Sequence, residues 1–296
     1  MIINSATLDA LRVGFKTTFN EAFRGVSTAR DRIAEVVPSS TREEKYGWLG
    51  ELPGMREWIG PRVIHNFAEH SYAIANRKFE LTVGVSKDDI EDDNLGTYAP
   101  RFRVMGRSAA RHPEQLVFGA LKDGLSTPCY DGQFFFDTDH PVLDENGKEV
   151  SVSNYGGGSG ANWFLLATNE VIKPIIFQER KAADFVYKDK PTDDNVFMED
   201  RYYYGVSARY NVGYGFWQMA YASRQVLDET SYSAARTALT SMKGDYGQPL
   251  GIVPNLLVVP PSLETAARRL LNAQQINGTD NVLAGTAEVM VSPWLA

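Results

Sequence analysis

Few residues in this chain could do chemistry. Four histidines, His65, His70, His112 and His140, are the side chains that titrate near neutral pH. The tightest grouping is Asp137-Thr138-Asp139-His140, where a carboxylate beside an imidazole could orient a general base or hold a metal, the equipment of a β-rich hydrolase. Asp-Thr-Asp-His-Pro is equally ordinary turn chemistry, and no second ligand cluster accompanies it. His65 and His70 lie five apart, so they do not share a helix face as an H-E-x-x-H zinc site requires. Ser159 is outside a nucleophile elbow, because Ala161 stands where the closing glycine belongs. Cys129 is the single cysteine; it excludes an intrachain disulfide and reads as a buried thiol. Gly156 to Gly160 lacks the following Lys-Ser/Thr of a phosphate loop, and the acidic run Asp88 to Asp93 lacks EF-hand spacing. The chemistry therefore points to no catalytic residue, no metal and no cofactor, and the chain is expected not to be an enzyme.

One charged pattern stands apart. Arg103, Arg107 and Arg111 fall four apart, a stripe on one helix face that could meet phosphates or an acidic neighbour, or stay solvated. The net charge of −7 and pI near 5.2 argue against general affinity for nucleic acid or anionic lipid. With 43% hydrophobic and 23% charged residues the composition is globular, and 296 residues suffice for a core without staples. Because no apolar run reaches membrane-spanning length and the first 25 residues lack a signal pattern, neither a membrane span nor secretion is expected.

The elements that would carry these residues follow from periodicity. Tyr98, Phe102, Met105, Ala109, Leu116 and Ala120 recur at helical steps, predicting a helix from Thr97 to Asp123 about 40 Å long. Pro113 predicts a bend near Ala109 to His112. Leu8, Leu11, Phe15, Phe19 and Phe23 form a second apolar stripe, opened by Asn4 or Ser5 and closed by Gly25. That face must dock, either on its own core or on another subunit. Trp48, Leu49, Trp58 and Ile59 lie on strands flanking a Leu52-Pro53-Gly54-Met55 turn, an aromatic hairpin without a visible core of its own. Phe79 to Val85 alternates as a half-buried strand, and Ser86 with Asp89 reads as a helix cap. Val142-Leu143 and Val150 to Val152 flank an Asn146-Gly147 turn. Ile175 to Gln178, Tyr202 to Arg209, Phe216 to Ala222, Leu256 to Val259 and Glu288 to Val291 read as strands, and helices are expected over Tyr232 to Met242 and after Pro261. The 14 Tyr and 15 Phe are read as packing rather than as a base-stacking surface.

Four stretches, in order, carry a resemblance: Phe134-Phe135-Phe136-Asp137-Thr138-Asp139-His140-Pro141, Lys173-Pro174-Ile175-Ile176-Phe177-Gln178, Gly215-Phe216-Trp217-Gln218-Met219-Ala220-Tyr221, and Leu257-Val258-Val259-Pro260-Pro261-Ser262-Leu263-Glu264. Together they resemble the Mu-like bacteriophage (prophage) major head subunit family. That resemblance implies an α+β fold of the HK97 capsid type: an N-terminal arm over 1–37, an extended loop hairpin over 38–66, a peripheral domain over 67–124 and 171–225 built on the long spine helix, and an axial domain over 226–296. Residues 125–170 stay unassigned as a loop or β insertion.

It also implies a major capsid protein that assembles through hexamers and pentamers into an icosahedral shell around double-stranded DNA. Its partners would be further copies of itself, a scaffold separate from this chain, a portal, decoration proteins and weakly contacted DNA. Assembly would take place in the bacterial cytoplasm and the product would be the virion. Another virion part, a tail or baseplate subunit, keeps the same assembly logic. The subunit interface is expected at Phe15, Phe19, Phe23, Trp48, Leu49, Pro53, Met55, Trp58 and Ile59.

Overall fold

The computed structural model describes residues 3–49, 72–92, 94–276 and 278–296. In chain order these form α1 (Ser5–Arg24), α2 (Arg30–Ile33), β1 (Ala34–Pro38), β2 (Glu43–Lys45), β3 (Ala73–Ala75), β4 (Arg77–Ser86), α3 (Lys87–Glu91) and α4 (Tyr98–Asp123). The short strands β5 (His140–Leu143), β6 (Glu149–Val152), β7 (Tyr155–Gly158) and β8 (Trp163–Leu166) follow. The long pair β9 (Ile175–Lys188) and β10 (Arg201–Tyr214) flanks α5 (Asp194–Glu199). Then come β11 (Ala220–Arg224), α6 (Glu229–Thr240), β12 (Leu256–Val259), α7 (Glu264–Leu271), β13 (Gln275–Ile276), β14 (Thr279–Asp280) and β15 (Glu288–Val291).

Two sheets organise the chain. In the first the order is β1-β9-β10-β4, with β1 parallel to β9 and β10 antiparallel to both its neighbours. The helix α4 lies on this sheet and α1 lies on α4. Asn4 caps α1 by accepting a hydrogen bond from the Thr7 amide at 2.9 Å, as its residue type predicts. The helices approach closely because position 106 is glycine: a Cβ there would sit 2.5 Å from the Phe19 carbonyl oxygen of α1 and 3.1 Å from the Phe23 nitrogen. Phe15 stacks on Phe102 at 4.2 Å and meets Tyr204 edge-on at 5.2 Å, while Phe19 packs on Phe185 at 5.6 Å. The helix α4 runs unbroken through Pro113.

The second sheet has the order β15-β12-β8-β11-β7. Its centre is apolar on both faces: Trp163 to Leu166 and Leu256 to Val259 are fully buried, the pattern of strands covered on two sides. This sheet draws its strands from more than one of the expected segments. Residues 163–166, from the unassigned insertion, pair with β12 of 226–296 on one side and with 220–224, from the expected peripheral segment, on the other; 155–158 pair with 220–224, while Ala34 to Pro38, expected in the arm, pair with β9. Phe216 precedes a 3-10 turn over Trp217–Met219 rather than starting a strand. The expected Ser86 to Asp89 cap is also corrected, since Ser86 makes no side-chain cap and Asp89 bonds Tyr98 Oη and Asn94 instead.

Candidate functional site

The enzyme-like run resolves into a buried polar knot. His140 is fully buried on β5, its ring lying flat on Trp217 with centroids 3.9 Å apart and planes 8° apart. Its Nδ1 is 2.7 Å from Asp131 Oδ2. Asp131 Oδ1 also accepts from the Gln133 amide at 3.0 Å and from the Cys129 thiol at 3.1 Å. His140 Nε2 faces Asn154 Oδ1 at 3.3 Å. The orientation of that amide is fixed, because Asn154 Nδ2 donates to the Phe135 and Trp217 carbonyls and Oδ1 accepts the Asp137 amide at 2.9 Å. Burial raises the Asp131 carboxyl, but hydrogen bonds from His140 and Cys129 outweigh it and hold it below the ordinary carboxylate range. Burial first, and the Asp131 charge second, push the Cys129 thiol far up.

Cys129, Asp131 and His140 are the donor set that could in principle hold a metal, with ligand atoms all within 4.8 Å of one another. The hydrogen bonds among them already satisfy each polar atom, which accounts for the cluster as a structural clasp joining the segment 129–137, β5, Asn154 and the turn at Trp217. The sequence-based grouping is corrected. Asp137 accepts from the Phe134 and Thr138 amides, and Asp139 bonds Ser151 on the exposed hairpin, so neither faces His140. The true partner, Asp131, stands nine residues upstream. Its one sequence signal was the Tyr130-Asp131-Gly132 turn, with Gly132 at φ +90°.

A second constructed region is the base of the segment 50–71. The antiparallel pair β2 and β3 matches Glu43 with Ala75 and Lys45 with Ala73. Glu44 collects bonds from the Thr41 and Ser40 amides and the Ser39 and Thr41 hydroxyls, which lower its carboxyl to about 2. Buried Gln178 accepts from Tyr46 Oη and donates to the Ile74 carbonyl, both at 2.9 Å, and Tyr72 Oη accepts the Tyr214 amide at 2.7 Å. Asn211 donates to the Ala75 carbonyl at 2.8 Å. Both ends of the segment are thus bolted to the first sheet.

The expected interface residues divide. Phe15 and Phe19 are buried within this chain by the α4 face and Phe185, and Phe23 is half-buried against Phe19. Leu49 is buried, while Trp48 stays 40% exposed with its edge on Tyr46 and Phe216. Pro53, Met55, Trp58 and Ile59, with His65 and His70, lie outside the described residues. Exposed apolar side chains that periodicity did not single out are Val104 on α4, 66% exposed, and Phe197 and Met198 on α5, 87% and 74% exposed. Arg103, Arg107 and Arg111 are all exposed along α4.

Comparison with known proteins adds the wider setting. A family model described as Mu-like prophage major head subunit gpT matches residues 8–295. The chain is 43% identical over 305 residues to the major capsid protein of Escherichia phage Mu, covering 100% of both chains. It is similar to a chain from the procapsid of bacteriophage JBD30, with TM-score 0.86, 44% identity and coverage of 99% of this chain and 100% of that one. A chain from the JBD30 capsid decorated with minor capsid protein trimers matches with TM-score 0.78 and 33% identity over 94% of this chain and 93% of that one.

Proposed function

We propose, from the premise that the chain belongs to the Mu-like prophage major head subunit family, that it is the major capsid protein of a Mu-like phage and builds the wall of the phage head. The observation that carries this is the match of the family model to residues 8–295, nearly the whole chain, on an α+β fold of the HK97 type. The chain acts by association, not turnover, and is not an enzyme. The knot at His140, its ring fully buried, clamps the fold.

Copies join through hexamers and pentamers into an icosahedral shell around double-stranded DNA, the working location is the virion, and assembly takes place in the host cytoplasm. The partners are other copies, a scaffold, a portal and a decoration protein; the trimers on the JBD30 capsid support the last of these. The contacts fall on residues 50–71 and on Trp48, Phe197 and Met198, the last three exposed apolar surface on a lone subunit. Obligate contacts of this kind cover roughly 2,000–5,000 Å² and are more apolar than the ordinary surface. Sedimentation velocity of the purified protein over a wide concentration range tests the reading. Capsomers or shells are expected, and a monomer of 32.9 kDa at every concentration would overturn it.

A further inference from the structure

We propose that the exposed face of α4 carrying Arg103, Arg107 and Arg111 lines the inside of the shell and contacts phosphates of the packaged duplex DNA, an inference that rests on the shell function above. Between Tyr98 and Pro113 this helix holds four arginines, counting Arg101, and no carboxylate. The first acid, Glu114, is already committed to the Ala29 amide at 3.0 Å. Among the described residues no carboxylate forms an ion pair with Arg103, Arg107 or Arg111. Three exposed cations without anions, in a chain of net charge −7, form a local positive patch on which a polyanion can replace mobile counterions.

The geometry suits a polyanion better than a single small anion. From Arg103 to Arg111 the row extends about 12 Å at 1.5 Å per residue. Duplex DNA carries one charge per about 1.7 Å of axis, both strands counted, so a cationic row can contact phosphates without reading sequence. Guanidinium also matches phosphate oxygens in pairs. The row is held rigidly, since Phe102, Met105 and Gly106 on the other side of α4 are locked against α1 and the first sheet. Beside Arg107 and Arg111 a groove of about 430 Å³ adds Ser108 and Gln115, polar groups that can bond a sugar–phosphate backbone. The acidic remainder of the subunit keeps the contact weak, which a wall must be if DNA is to enter and leave.

The test compares DNA-filled heads with heads emptied of DNA. Both are treated with phenylglyoxal, which modifies accessible guanidinium groups, and adducts are located by mass spectrometry. Modification of Arg103, Arg107 and Arg111 is expected to be severalfold slower in filled heads than in empty ones. Equal reactivity in both overturns the proposal, because the stripe then faces solvent or the outside. Equal blockage in both also overturns it, because a neighbouring copy or a decorating protein then covers the stripe. Electron microscopy of the same preparation separates the two claims: if the protein forms no heads, the shell function itself fails, whereas intact heads with unprotected arginines defeat only the DNA contact.

Discussion

At the scale of single residues, the chain spends its few reactive groups on structure. The His140 to Asp131 pair is buried beneath Trp217, and removing one partner strands the other. Asp131→Ala is therefore expected to destabilise the subunit by on the order of 3 kcal/mol, read from the midpoint of urea unfolding; an unchanged midpoint would show that the pair contributes nothing. Cys129, with its thiol pushed up by burial and by the Asp131 charge, should resist iodoacetamide at pH 8 in the native protein and react after denaturation. Rapid native labelling would contradict the closed knot. Here the sequence was partly legible: His140 stood out in the Asp137-Thr138-Asp139-His140 run, but adjacency pointed to Asp137 and Asp139. Both are held by local turns, and the acid that reaches the ring arrives from another turn of chain, which spacing does not encode.

At the scale of elements, legibility followed periodicity. The helices α1 and α4 lie where one clean period places them, within a residue or two, and β12 lies where a continuous apolar run marked a buried strand. What covers an apolar stripe is a different question. The phenylalanines of α1 announce a buried face without naming its partner, and the decisive residue, Gly106, shows only as a small residue in another helix. Gly106→Leu should push α1 off α4 and expose Phe15 and Phe19, whose burial is worth about 1.5–3 kcal/mol each. Limited trypsinolysis checks this: cleavage after Arg12, Lys16 or Arg24 should quicken in the variant, and resistance equal to the parent would refute the notch.

The base of the segment 50–71 carries a pH signature. The Glu44 carboxyl is lowered by its amide and hydroxyl donors, so the stabilisation it gives is complete above its unfolded value of about 4.3 and fades as pH falls toward about 2. Hydrogen exchange of residues 38–49, corrected for intrinsic rate, should speed up below about pH 4 in the parent. In Glu44→Gln it should be fast throughout; identical profiles would contradict the role.

At the scale of the whole molecule, two sheets and the α1–α4 helix pair build the subunit. The second sheet was the least legible feature, because it gathers four-residue runs such as Trp163 to Leu166 and Leu256 to Val259 from distant stretches, and a short apolar run does not reveal its neighbour. The surfaces proposed for association are the exposed Trp48, Phe197 and Met198 together with residues 50–71. A cryo-electron microscopy reconstruction of the assembled particle tests this most directly. A closed shell of fivefold and sixfold capsomers is expected, with Phe197, Met198 and Trp48 each against another copy; a helical tube, or a closed shell that leaves those side chains facing solvent, would contradict the proposed assembly.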